Sequence, residues 1–100
     1  MLRHIVLWTF KDHAEGADKA TNIARAKALL EGCAALTPGI VQFDVATAQA
    51  GLTFNTDLVL DSTFTDPAAL AAYQHHPDHV AIKPFMAAAV AGRHCVDFET

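Results

Sequence analysis

Residues Arg3 to Lys11 read RHIVLWTFK, and this stretch decides the fold. His4, Val6, Trp8 and Phe10 fall on one alternation, Ile5 and Leu7 on the other. A strand that is apolar on both faces needs both of them covered. Directly after it the period changes. Asp12 and Glu15 have the spacing of a capping box, with Asp18 a second candidate cap beyond Gly16. The helix that follows is predicted to run to about Leu36, with Ile23, Ala26, Leu30 and Cys33 on its buried stripe. Thr37-Pro38-Gly39 stops it and turns the chain.

Working outward, Ile40 to Ala46 (IVQFDVA) alternates and is predicted as the second strand. A polar loop from Thr47 to Thr56 leads to the third, Asp57 to Phe64 (DLVLDSTF). Asp66-Pro67 starts a helix, Asp as N-cap and Pro at the first helical position. That helix carries Leu70 and Tyr73 and should stop near His76, because Pro77 disfavours helix in the residue before it. A further helical stretch from about Asp78 to Ala91 contains Pro84 and ends at Gly92, and His94 to Glu99 is the last strand. The order β-α-β-β-α-β is the split βαβ, ferredoxin-like pattern of the α+β class. It gives one domain over residues 1–100, a four-stranded antiparallel sheet with both helices on one face. The other face is left bare, and either Trp8 and Phe10 or Ile5 and Leu7 must lie on it.

Composition sharpens that point. The chain has 100 residues, 52% apolar and 18% charged, with a formal net charge of -4. Scaling gives roughly 15,000 Å² of surface unfolded and about 5,500 Å² folded, enough for a core without disulfides. Charge is below and apolar content above the usual globular share, so a partner should cover part of the surface. A second copy packed on the bare sheet face would make a two-fold dimeric α+β barrel.

Other classes fall away. Charge is too low and apolar residues too dense for disorder, and no apolar run approaches the roughly 20 residues of a membrane span. After Arg3 the apolar run Ile5 to Trp8 is too short for a signal peptide. Seven Lys and Arg against eleven Asp and Glu, without a basic stripe, argue against nucleic acid. Cys33 and Cys95 read as buried thiols in a reduced cytoplasm.

The densest polar cluster is Tyr73-Gln74-His75-His76-Pro77-Asp78-His79. Its histidines bring titration near neutral pH, the property that acid-base catalysis uses. As a metal site, His76, Asp78 and His79 have suitable i, i+3 spacing, and His75 with His79 has i, i+4, but Pro77 interrupts the helix. The plainer alternative makes Pro77 and Asp78 a turn and cap, with solvated histidines. No metal and no cofactor is assigned. His4 shares the alternation of Val6 and Trp8 and should be enclosed, with Asp57 on the neighbouring third strand as its candidate partner. His13 and His94 read as surface or strand-end residues. There is no phosphate loop and no GxSxG, and Cys33 sits on a buried stripe.

Four segments together resemble the stress-responsive dimeric α/β-barrel (Dabb) family. They are Arg3 to Lys11, Pro38-Gly39-Ile40, Asp57 to Leu60 with Phe64, and above all Leu70-Ala71-Ala72-Tyr73-Gln74-His75-His76-Pro77-Asp78-His79-Val80. Val96-Asp97-Phe98 closes the match, which spans essentially the whole chain. The resemblance implies a homodimer with a cavity in each protomer between sheet and helices. Some plant relatives are cofactor-free polyketide cyclases whose pocket histidine and tyrosine move protons. By motif these fall on His79 and Tyr73, and the first-strand pocket histidine falls on His4. The cyclases have a histidine at the start of the third strand, where this chain has Asp57, and a first-helix tyrosine without counterpart near Ala26 and Lys27. What is implied is an apolar pocket lined by Val6, Trp8 and Phe10, with Asp57 and His76 adding polar contacts, for an aromatic or polyketide-like ligand. The alternative is a non-catalytic dimer whose histidines are structural.

Overall fold

The computed structural model describes residues 1–100. Strand β1 (Leu2–Phe10) alternates buried and half-buried residues along most of its length. Leu2, His4, Val6, Trp8 and Phe10 point to the core, and Ile5 and Leu7 to the other side. This settles which alternation faces outward. A two-residue hairpin follows, β2 (His13–Ala14) and β3 (Ala17–Asp18). Its turn residues have positive φ, 52° at Glu15 and 71° at Gly16, as the favoured two-residue hairpin turn requires. Glu15 is therefore a turn residue and not part of a capping box. Asp18 is the N-cap of α1 (Lys19–Glu31), its carboxylate accepting from the Thr21 N–H at 2.8 Å. Asn22, Ala26 and Leu30 are the buried positions of this helix. Asn22 Nδ2 donates to Ala14 O at 2.8 Å, which ties the hairpin to the helix. The helix ends at Glu31, short of Leu36, because the chain passes into successive turns before Pro38.

Strands β4 (Ile40–Ala46) and β5 (Leu58–Phe64) are separated by residues 47–57. Helix α2 (Pro67–His75) is capped by Asp66, whose side chain accepts from Ala69 N–H at 2.8 Å. His76 is extended (φ -60°, ψ 136°), the geometry that a following proline favours. The second helical stretch is two pieces, α3 (Pro77–Val80) and α4 (Lys83–Ala89). Pro84 lies in the first turn of α4, where a missing N–H costs nothing, so the break falls just before it. Strand β6 (Val90–Glu99) begins earlier than His94, at the end of α4.

The sheet order is β4-β5-β1-β6, with every neighbouring pair antiparallel. This is the ferredoxin-like α+β arrangement, helices on one side. The core lies between them, around Val6, Leu58, Leu60 and Phe64 from the sheet and Ala26, Leu30, Leu70 and Tyr73 from the helices. Tyr73 is fully buried, its ring 5.3 Å from Phe64 and 5.7 Å from Phe43 between centroids. On the helix-free face, Ile5, Leu7 and Val59 are joined by exposed Val96 and Phe98. Arg3 and Asp61 form an ion pair there, and Gln42 bonds Asp61 O at 2.7 Å. His94 also lies on this face, mid-strand opposite Leu7, and not at a strand end. No helix is long and apolar enough to cross a membrane.

Candidate functional site

A cavity of about 420 Å³ opens where the end of β1 meets α1, α4 and β6. Trp8 and Leu30 form one side, Ile82, Met86 and Val90 another, and His79, Lys83 and Arg93 supply the polar groups. The break between α3 and α4 makes this possible. His79 sits in the short α3, while Lys83 and Met86 come from α4.

His79 is half-buried, and its Nδ1 lies 3.1 Å from Gln74 O. A carbonyl only accepts, so Nδ1 carries the proton and Nε2 holds the free lone pair of the neutral ring. Burial lowers the His79 pKa below the ordinary histidine value, with Lys83, His4 and Arg93 adding to the effect against the Gln74 hydrogen bond. The ring is thus held neutral, the form of a proton acceptor. Tyr73 backs it, ring centroids 4.6 Å apart. The Tyr73 hydroxyl is buried with no hydrogen-bond partner, and burial, with Cys33 adding, raises its pKa. Tyr73 therefore stays a neutral phenol that reaches the cavity only through His79.

The other expected site residues lie elsewhere. Val6 and Phe10 are packed into the core and do not wall the cavity; of the three apolar strand residues only Trp8 does. His76 accepts the Asp78 N–H at Nδ1, 3.1 Å away, and so caps α3 instead of facing the cavity. With that nitrogen engaged and His79 Nδ1 bonded to Gln74, the His76, Asp78 and His79 donors do not converge. Asp57 is not the partner of His4. In the antiparallel register Trp8 faces Leu58, so the start of β5 meets the far end of β1. The Asp57 carboxylate accepts from the Phe10 N–H at 2.7 Å and lies 3.8 Å from Lys19 Nζ.

The partner of His4 is Asp97, which the register places directly opposite it on β6. His4 Nδ1 and Asp97 Oδ1 are 2.5 Å apart, and the imidazole is almost fully buried. Of the two thiols expected to be buried only Cys33 is; Cys95 is exposed on β6, its Sγ 3.8 Å from the same nitrogen. Burial, with the Asp97 carboxylate next in effect, pushes the Cys95 thiol up. Asp97, Lys83, Met86 and Arg93 escaped the sequence reading. Only the strand register and the helix break bring them in.

Among solved structures the chain is similar to a dimeric ferredoxin-like protein of unknown function from Bacteroides fragilis. Identity is 28%, coverage 99% of this chain and 95% of that one, and the TM-score 0.80. A second dimeric ferredoxin-like protein of unknown function, from Jannaschia sp. CCS1, is 30% identical over 99% of this chain and 98% of its own, with TM-score 0.74. A Dabb family protein from Mesorhizobium loti is 25% identical over 99% and 95%, with TM-score 0.67. No curated protein matches the chain. The family model described as the stress responsive A/B barrel domain matches residues 2–100, and with the ferredoxin-like sheet and its helix layer in place, the chain belongs to the Dabb family.

Proposed function

We propose that the chain is a homodimer, joined through the helix-free sheet face, that binds a small aromatic or polyketide-like ligand in the Trp8–His79 cavity. His79 would exchange a proton with it without a cofactor. The observation that carries this reading is a neutral imidazole, anchored at Nδ1 by Gln74, in the wall of a cavity of ligand size. Trp8 offers an aromatic wall for a flat carbon frame. Lys83 and Arg93 supply positive charge where an enolate or phenolate oxygen would develop, which lowers the barrier to removing a proton beside a carbonyl. Tyr73 is a positioning residue that backs the imidazole. Dimerisation is supported by the two dimeric relatives and by the apolar patch of Ile5, Leu7, Val59, Val96 and Phe98. The same patch on both copies suits a two-fold axis.

Trp8 is the only tryptophan, so its fluorescence reports the cavity directly. A titration with aromatic ketones and their carboxylate analogues should perturb that emission. NMR should show deuterium exchange beside the carbonyl that His79→Ala abolishes while binding survives. Exchange unaffected by His79→Ala would overturn the proton-transfer reading. Absence of any Trp8 response would overturn the ligand site. A second reading, binding without turnover, is favoured by the Tyr73 hydroxyl, which is buried beyond reach of a ligand and leaves His79 without a phenol partner among the cavity walls. Saturable Trp8 quenching with no exchange would select it.

A further inference from the structure

The one place where three potential metal-donor side chains converge is outside the cavity walls, at His4, Cys95 and Asp97. Residues two apart on a strand share a face, so Cys95 and Asp97 both project toward the buried His4 of the next strand. The donor atoms of the three residues lie within 4.8 Å of one another. The separations are 2.5 Å for Nδ1 to Oδ1, 3.8 Å for Sγ to Nδ1 and 3.9 Å for Sγ to Oδ1.

A nucleophile relay would use such residues differently. There the carboxylate and the thiol take opposite nitrogens of the imidazole, so that a proton passes through the ring. Here both face Nδ1. An arrangement in which imidazole, thiol and carboxylate surround one point is that of a metal centre. Zinc lies about 2.3 Å from sulfur and about 2.0–2.2 Å from nitrogen or oxygen, so tetrahedral ligand atoms sit roughly 3.3–3.6 Å apart. The two sulfur edges are within a few tenths of an ångström of that. The short His4–Asp97 edge, 2.5 Å, must open by about an ångström when a cation takes the place between them. Asp97 and Cys95 are both exposed and free to make that adjustment, while His4 is held in the sheet.

We propose that His4 Nδ1, Cys95 Sγ and an Asp97 carboxylate oxygen bind a divalent metal ion of the zinc type, one per protomer. A mixed nitrogen, sulfur and oxygen set suits a borderline-soft ion and disfavours magnesium or calcium. The thiol proton leaves to solvent as the bond to sulfur forms. Two of the three ligands are exposed, so the fourth position is open to water, the layout of reactive zinc sites and not of closed structural ones. Arg93 shares this face of β6 and its charge opposes the incoming cation, which sets a limit on affinity. The proposal is independent of the cavity function, since none of the three ligands lines that cavity.

The test is titration of the purified, chelator-treated protein with Zn²⁺ and with Co²⁺, followed by calorimetry and absorption. The expected result is one metal per chain and, with Co²⁺, the near-ultraviolet charge-transfer band of a thiolate ligand. Cys95→Ser should remove the band and weaken Zn²⁺ by more than the roughly 10–100-fold that loss of an outer-sphere partner costs. Asp97→Asn should weaken binding at least about 10-fold while keeping the band. Both positions are exposed, and circular dichroism confirms that the variants fold. Absence of stoichiometric binding, or Zn²⁺ held equally by wild type and Cys95→Ser, overturns the proposal.

Discussion

The rings of Tyr73 and His79 pack with centroids 4.6 Å apart, one wholly inside the core and the other in a cavity wall. The contact joins α2 to α3 across the His76–Pro77 break, and it fixes a titratable group on a segment only four residues long.

The charge state of His79 should appear in stability. Its folded pKa is lowered by burial, so protonation favours the unfolded chain. The stabilisation is fully present above the ordinary histidine value of about 6.5 and is lost as pH falls through the lower folded value. Thermal melts of wild type and His79→Gln should therefore diverge in pH dependence on the acid side of about 6.5. The wild type should lose more stability on acidification. Parallel profiles would contradict the assignment.

Tyr73→Phe should leave the melting temperature unchanged or raise it. The hydroxyl is buried and unpaired, a state that costs about 1–3 kcal/mol, while the ring contacts to Phe64, Phe43 and His79 are kept. Calorimetry decides this. A marked fall would mean that the hydroxyl has a partner.

Gly39→Ala should destabilise by about 2 kcal/mol or more. The glycine has φ 88°, and an added Cβ would meet Ala69 Cβ at 2.7 Å and Thr65 Oγ1 at 2.8 Å. Its carbonyl also accepts from Thr65 N–H at 2.9 Å, so the loop cannot simply move away. Urea denaturation measures the loss.

Val96→Asp should convert the dimer to monomer. Val96 is 49% exposed in the single chain and lies opposite Ile5 on the helix-free face. In a two-fold interface each substitution acts twice, so the change should cost about 3 kcal/mol or more per dimer. Light scattering after size exclusion gives the mass. A dimer that persists at low micromolar concentration would place the interface elsewhere.

Much of this was legible in local chemistry. The double alternation within Arg3–Lys11, the Asp66-Pro67 start and the His76–Pro77 stop are signals carried by adjacent residues, and the structure repeats them, with the strand set one residue earlier at Leu2–Phe10. Failures came where distant residues decide. Asp57 and Asp97 are both aspartates near strand ends, and only the antiparallel register shows which one meets His4. The Glu15–Gly16 turn was hidden because strands of two residues have no period to read. At the cavity, Trp8 and His79 were named from sequence, whereas Lys83 enters because α3 and α4 are separate pieces and Arg93 because the β1–β6 register sets it opposite Trp8.

Strand β1 leaves almost no residue uncommitted. Leu2, His4, Val6, Trp8 and Phe10 are spent on the interior, while Arg3, Ile5 and Leu7 lie on the uncovered face. Thr9 alone is exposed, and it limits the residue opposite, since a Cβ on Gly92 would approach its Oγ1 to 3.0 Å. A slip of one residue would exchange the two sets and place a guanidinium in the core. The central strand is thus the segment with the narrowest mutational tolerance. Random substitutions that preserve folding should accumulate last between Leu2 and Phe10 and earliest in the loop of residues 47–57, where no such double constraint applies.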